Sequence, residues 1–176
     1  AWNEAILPSE REHVTPYIYK SRKIPVLRIG FEKNNKNFNT SFYQQLSLNY
    51  QISYDYFFIP IDEDKERSLQ DHLIKEYKID NQFMLVHQVS SYGKVDLNIE
   101  SNLGKIYVEK ETDIFKNIFF YRRIIENAKE IHCIDSSFLH LVERVPTNAK
   151  LYFHNHKTDT QKSEKLILMK DWKIIK

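Results

Sequence analysis

The sequence predicts an α/β protein, and two observations lead to this fold class. Short apolar segments typical of buried strands alternate with segments of helical spacing over residues 41–176. Such alternation produces crossover units and a mainly parallel sheet. The 176 residues, 41% of them hydrophobic, supply enough apolar material for one core of ordinary size. We therefore expect a Rossmann-like sheet flanked by helices, with an N-terminal appendage that is extended or helical.

The individual elements follow from apolar spacing and from polar residues at helix starts. Acidic residues open the helix predicted over 62–77, where the helix dipole favours them, and Leu69, Leu73 and Tyr77 follow at i, i+4 spacing. Thr40 is the predicted cap of a first helix. Helices are predicted over 41–48, 62–77, 113–129 and 136–144. Strands are predicted over 83–87, 105–108, 130–134, 150–154 and 166–169, and 54–61 is predicted as a strand or extended segment.

Three regions are predicted along the chain. Residues 1–32 form a polar N-terminal segment, residues 33–40 are rich in asparagine and are predicted to be a linker, and residues 41–176 form the Rossmann-like domain. The chain begins at Ala1 and not at Met, so we expect it to be part of a longer protein.

The composition makes some classes of binding partner and some cellular compartments less expected than others. Charged residues make up 28% of the chain but the net charge is only +2, so no broad basic surface for nucleic acid is expected. Cys133 is the one cysteine, which excludes an intrachain disulfide and favours a cytoplasmic setting. No apolar run approaches the roughly 18 residues of a transmembrane segment, and no signal peptide is recognisable.

The turn after the strand at 130–134 carries the most informative polar residues. Asp135, Ser136 and Ser137 follow an apolar strand and open a helix. Ligands of parallel sheets bind at the carboxyl ends of strands, and the amino end of a helix attracts anions. The three residues are therefore predicted to bind the phosphates of a nucleotide. The alternative interpretation is that Asp135 or Ser136 only caps the helix and that Phe138 only packs in the core.

A second polar loop follows the strand at 83–87. His87 ends this strand, and Ser90, Ser91 and Lys94 lie in the loop beyond it. In a parallel sheet this loop shares an edge with the Ser136 turn, so its side chains are candidate nucleotide ligands. His87 is a candidate catalytic base, because a base must reach the hydroxyl that it deprotonates. The alternative is an ordinary solvated surface loop.

The sequence context of the remaining histidines and of the cysteine indicates structural roles for them. His132 lies within a predicted strand, and Cys133 is predicted to be a buried, inert thiol. His154 and His156 share one face of an extended chain, but no carboxylate or cysteine at a suitable spacing completes a metal site. We predict no metal and no cofactor.

The N-terminal thirty residues resemble the tail of the spore-coat polysaccharide cytidylyltransferase family. The resemblance rests on residues 1–5 and on the segment Glu10-Arg11-Glu12-His13-Val14-Thr15-Pro16-Tyr17. The chain has no counterpart of the Gly- and Arg-rich nucleotide loop of that family. The resemblance therefore implies an accessory part of a cytidylyltransferase involved in CMP-sugar synthesis.

Residues 40–176 resemble the C-terminal, nucleotide-binding half of bacterial polysaccharide-locus glycosyltransferases, which have two Rossmann domains, and more distantly fucosyltransferases. The resemblance is carried by residues 42–46, 57–60, 86–93 and 151–154 and, most strongly, by residues 125–138. It implies a nucleotide-sugar donor, a glycan acceptor and a role in bacterial surface polysaccharide biosynthesis. Gln88 and Val89 follow His87 where fucosyltransferases carry a His-x-Arg clamp, so GDP-fucose is not the implied donor. A non-catalytic interaction module is the remaining alternative.

Overall fold

The computed structural model describes residues 38–90, 93–155 and 166–175. The chain divides into two compact units, Ala1–Leu48 and Asn49–Lys176. The predicted segment 1–32 and most of the predicted linker 33–40 lie outside the described residues.

The described part of the first unit is helix α1, Phe38–Gln45. It begins three residues before the predicted start, so Thr40 lies inside the helix and does not cap it. Ser47 adopts a left-handed conformation with φ 55°, and the amides of Leu46 and Leu48 both donate to the carbonyl of Tyr43. This turn ends the helix before residue 48.

The second unit contains the sheet. Its helices are α2 (Ile52–Asp55), α3 (Glu63–Glu76), a 3-10 turn (Ile118–Tyr121), α4 (Arg122–Asn127) and α5 (Ser137–Arg144). Its strands are β1 (Phe83–His87), β2 (Val89–Ser90), β3 (Gly93–Lys94), β4 (Gly104–Tyr107), β5 (Glu130–Cys133), β6 (Lys150–His154) and β7 (Trp172–Ile175).

Five strands form one parallel sheet in the order β4-β1-β5-β6-β7, while β2 and β3 pair as a small antiparallel ribbon. The predicted Rossmann-like α/β fold is confirmed. Counted along the chain, the main strands are arranged 2-1-3-4-5, so the strand order reverses between β1 and β5. In open α/β sheets such a reversal opens a crevice at the carboxyl ends of the strands.

The two faces of the sheet differ in chemistry because side chains alternate along each strand. One face, with Leu85, Ile106 and Ile131, packs with the helices into a buried core. The other face carries polar and aromatic residues at the paired positions His132 and Tyr152. Lys105 also lies on that face, and its Nζ donates to the carbonyl of Ile99 at 2.7 Å. The connection from β1 to β4 therefore reaches this second face.

Helix α3 shows how the sequence specifies its local structure. The Asp62 carboxylate caps the helix by accepting from the amide of Lys65 at 3.1 Å, and Leu69 and Leu73 are fully buried. Glu66 is also buried, and its carboxylate accepts from Arg122 at 2.5 Å and 3.0 Å. This ion pair joins α3 to α4.

The prediction of one long helix over 113–129 is wrong in its first half. Both carboxylate oxygens of Asp113 accept backbone amides, from Phe115 at 3.0 Å and from Asn117 at 2.8 Å, and Lys116 is left-handed at φ 51°. Asp113 therefore stabilises a turn, since aspartate competes with helical hydrogen bonds by binding nearby backbone amides. Regular helix begins only at Arg122.

Two segments for which a strand was predicted, 54–61 (strand or extended) and 166–169, form no strand. Residues 54 and 55 belong to α2, and residues 57–61 join no sheet: Phe57 and Ile59 pack against the core, while Phe58 remains 79% exposed. Residues 166–169 form no strand either, and β7 starts at Trp172. In that segment the Glu143 carboxylate accepts from the amide of Met169, which removes this donor from any ladder.

Candidate functional site

The candidate site lies where the strand order reverses, at the carboxyl ends of β1 and β5. His87, the last residue of β1, is the register partner of Cys133 in β5. The amide of Ile134 donates to the carbonyl of His87 at 3.2 Å, so pairing continues to the edge of the sheet. Asp135 and Ser136 leave the sheet immediately beyond this point, and His87 and the Ser136 turn share one edge.

The turn from β5 into α5 is a capped helix start that reaches solvent. Ser136 has extended backbone angles, and its Oγ accepts from the amide of Leu139 at 3.3 Å. Ser136 therefore caps the helix, as the alternative interpretation of the sequence held. Asp135 and Ser136 are half-buried and Ser137 is exposed. Since the first amides of a helix have no intrahelical acceptor, this end of α5 presents donors at an accessible surface.

Aromatic side chains pack next to the turn. Phe138 is fully buried, with its ring centroid 5.2 Å from the His87 ring and 5.6 Å from the Tyr121 ring. The Tyr121 hydroxyl is buried and has no hydrogen-bond partner within the described part of the chain. The predicted packing role of Phe138 is confirmed, and this packing fixes where α5 begins relative to β1.

His87 is held in one tautomer. Its Nδ1 lies 3.0 Å from the carbonyl oxygen of Val108, and a carbonyl can only accept, so Nδ1 carries the hydrogen. Nε2 is then the unprotonated nitrogen. Burial lowers the pKa of His87, while the Val108 carbonyl and Glu109 act in the opposite direction. The ring is therefore neutral near pH 7, with a basic nitrogen at Nε2.

The described polar side chains of the loop after β1 have partners within their own region of the chain. Lys94 Nζ pairs with Glu109 Oε1 at 2.9 Å, a contact that raises the pKa of Lys94, and Ser90 Oγ donates to the carbonyl of Gly93 at 3.3 Å. Ser91 lies outside the described residues. Among the contacts of the described residues, none joins Ser90 or Lys94 to the Ser136 turn.

His140 interacts electrostatically with Asp135 of the turn, and no motif in the sequence pointed to it. It lies one turn after Ser136 on α5 and is half-buried. Burial lowers the pKa of His140, whereas the nearby Asp135 carboxylate raises it. The i+3 spacing from Ser137 was the available signal, because it places both residues on one side of the helix.

Neither a metal centre nor a membrane-spanning helix is found among the described residues. No group of three or more His, Cys, Asp or Glu side chains there is arranged to hold a metal ion. His154 lies in β6, while His156 falls outside the described residues. No helix in the described ranges is long and apolar enough to cross a bilayer.

Comparison of the chain with family models, with curated proteins and with solved structures gave no match.

Proposed function

We propose that this chain is a glycosyltransferase-like domain that binds a nucleotide-sugar for bacterial surface polysaccharide biosynthesis. The observation that carries the proposal is the accessible amino end of α5 at the reversal of strand order. Helix starts at such a crevice attract phosphate groups, because their amides and the helix dipole favour negative charge. The Ser137 hydroxyl adds a donor at the exposed position.

In the proposed reaction a hydroxyl oxygen of the glycan acceptor attacks the anomeric carbon of the donor sugar. The bond from that carbon to the diphosphate oxygen breaks, and the nucleoside diphosphate leaves with the bonding electrons. The α5 amides and the Ser137 hydroxyl stabilise the charge that develops on the leaving group. The proton of the acceptor hydroxyl passes to a base, and Nε2 of His87 is the group with the required tautomer.

The remaining predicted ligands keep secondary roles in this proposal. Asp135 sits beside the helix start and acts on His140. Ser90, Ser91 and Lys94 belong to the neighbouring loop, where Lys94 would have to exchange Glu109 for a phosphate before it could contribute. No metal or other cofactor is part of the proposal. The buried thiol of Cys133 is compatible with a cytoplasmic reaction.

Calorimetry with GDP, UDP and CMP and their sugar conjugates tests the proposal. We expect a nucleoside diphosphate to bind, and the double variant Ser136→Ala with Ser137→Ala to weaken its affinity at least roughly tenfold, since hydrogen bonds to charged groups contribute about 1.5–3 kcal/mol. Ser101→Ala is the matched control, because Ser101 Oγ also accepts a backbone amide but lies in the β1–β4 connection. Preference for CMP would indicate the cytidylyltransferase alternative. Absence of nucleotide binding at millimolar concentration would leave the interaction module.

A further inference from the structure

The connection between α2 and α3, residues 56–61, carries the most exposed large apolar side chains in the described part of the chain. Tyr56 is 80% exposed, Phe58 is 79% exposed and Ile61 is 59% exposed. Single exposed apolar residues are ordinary on protein surfaces, whereas neighbouring ones are typical of an interaction site. This connecting segment is therefore a candidate interaction surface.

The connecting segment is extended. Phe57 and Ile59 pack against the core, while Phe58 between them is exposed. This period of two places successive side chains on opposite sides, which is the geometry of a strand and not of a helix. The two inner side chains hold the backbone against the protein, so Phe58 projects from a supported chain.

The backbone of the connecting segment is unpaired. Within the described ranges, the amides of Phe58, Ile59 and Ile61 donate no hydrogen bond, and no carbonyl from residue 56 to residue 61 accepts one. Buried backbone groups are nearly always paired, so these groups face solvent. Alternate residues of an extended chain use the same edge, and Ile59 and Ile61 therefore offer two donors on one edge. On the other edge Pro60 has no amide hydrogen, so the first edge is the one suited to pairing.

The charges around the connecting segment are of one sign. Residues 51–64 contain the acids Asp55, Asp62, Glu63 and Asp64 and no basic residue. Lys65 neutralises Asp62 at 2.7 Å, while the other three acids are exposed. The helix dipole accounts for acids in the first turn of α3, but Asp55 lies at the opposite end of the segment. Both ends of the segment are therefore negative.

Arg144 is the cation that lies against the inner side of the segment. Its guanidinium carbon is 5.7 Å from the centre of the Phe57 ring, and its nitrogens donate to Ser53 and to the carbonyl of His140. This arginine is already hydrogen-bonded within the protein and does not supply a free cation at the exposed edge. It also shows that the segment lies near the carboxyl end of α5, away from the Ser136 turn.

We propose that the connecting segment binds an extended, apolar segment of a partner protein that carries lysine or arginine at its ends. The partner backbone pairs with the free groups of Ile59 and Ile61, as in β-strand addition, and its apolar side chains pack beside Phe58. Its basic ends lie against the acids at both ends of the segment, which favours this partner over others. A second copy of this chain would bring acids against acids, and like charges on opposite strands oppose pairing.

Titration of the full chain with synthetic peptides tests the proposal. The probe is a peptide of alternating valine and threonine with two lysines at each end, and its partner probe has glutamates at those ends. We expect the lysine peptide to bind roughly tenfold more tightly at low salt, and the difference to shrink in about 0.5 M sodium chloride, because salt screens exposed charges. Methylation of alternate backbone amides of the lysine peptide should abolish binding, since it removes the pairing donors.

Variants of exposed residues locate the binding surface. Phe58→Ser should weaken binding of the lysine peptide roughly tenfold without changing the midpoint of urea denaturation, because the side chain is exposed. Phe119→Ser, which removes a 45% exposed aromatic ring from the 3-10 turn, is the matched control. The double variant Asp55→Asn with Asp64→Asn should reduce the preference for lysine over glutamate and leaves the Asp62 cap of α3 in place.

Amide hydrogen exchange of the wild-type chain keeps the test independent of the variants. We expect the amides of Ile59 and Ile61 to exchange more slowly when the lysine peptide is bound. Three results would overturn the proposal: no binding of the lysine peptide at millimolar concentration, equal affinity for both peptides, or a dimer of the chain that Phe58→Ser dissociates. None of these measurements depends on whether the chain binds a nucleotide.

Discussion

The two ends of helix α5 differ in how completely their polar groups are satisfied. At the amino end one side chain, Ser136, caps the helix, and the next residue, Ser137, is exposed. At the carboxyl end Glu143 is 2% exposed, and its carboxylate accepts from Trp172 Nε1 at 2.5 Å and from the Met169 amide at 2.8 Å.

Further hydrogen bonds involve the residues at the carboxyl end of α5. The Tyr54 hydroxyl donates to Glu143 at 3.0 Å, and Arg144 donates to Ser53 through Nε at 3.1 Å and through Nη2 at 3.2 Å. Lys170 donates through Nζ to the carbonyls of Val142 and Val145. The carboxyl end of the helix is therefore enclosed by side chains, whereas the amino end is exposed at Ser137. If the proposed nucleotide site is correct, substitutions at the two ends should separate stability from binding.

The largest expected effect is that of Glu143→Ala. It leaves the buried donor of Trp172 and the partly buried donors of Tyr54 and Met169 without their acceptor, and a hydrogen bond to a charged group contributes about 1.5–3 kcal/mol. Urea denaturation should show this loss, while nucleotide affinity of the folded protein stays unchanged. Glu76→Ala, at the end of α3, is the control. A loss as small as that of the control would mean that the carboxyl end of α5 does not anchor the fold.

Arg144→Lys should have a smaller effect at the same end. Lysine cannot reproduce the fork that reaches both the carbonyl and the hydroxyl of Ser53, nor the guanidinium lying 4.5 Å from the centre of the Tyr54 ring. We expect a loss of about 1–2 kcal/mol in the free energy of unfolding. Arg67→Lys on the exposed side of α3 should change it by less than about 0.5 kcal/mol.

Ser136→Ala should lower stability by about 1 kcal/mol, because the amide of Leu139 loses its cap. Ser136→Asp sharpens the comparison, since aspartate is an equally good cap but adds a negative charge. We expect Ser136→Asp to retain thermal stability and to lose nucleotide affinity. Retention of both would contradict an anion site at this helix start.

Ser137→Ala should have the smallest effect on stability, within about 0.5 kcal/mol, because this side chain is exposed. Its effect on calorimetric nucleotide affinity should nevertheless exceed that of Glu143→Ala. If Glu143→Ala lowered nucleotide affinity more than Ser137→Ala, the amino end of α5 would be an ordinary helix cap.

The sequence predicted those elements whose signals are local. Strands β1 and β6 have the predicted bounds, Asp62 caps α3, and the strand-turn-helix at Ser136 was located correctly. Predictions failed where distant groups decide the structure. Residues 166–169 have the composition of a strand, but Glu143 from another element captures the Met169 amide.

The site was predictable only in part for the same reason. Its position after β5 follows from a local pattern, whereas the tautomer of His87 is set by Val108, which directly follows β4. The pairing of Lys94 with Glu109 likewise joins residues that no local periodicity connects.

The position of β1 between β4 and β5 has a consequence for how this edge of the sheet is assembled as the chain is synthesised. β1 pairs with β4 on one side and with β5 on the other, and about 40 residues separate the ends of β1 and β5, so closing that loop has an entropic cost. The end of β1 and the Ser136 turn therefore come together only after β5 has left the ribosome. If the proposed site is correct, a nascent chain that stops before β5 should have no affinity for the nucleotide. The chain length at which binding first appears would then show when β5 joins the sheet.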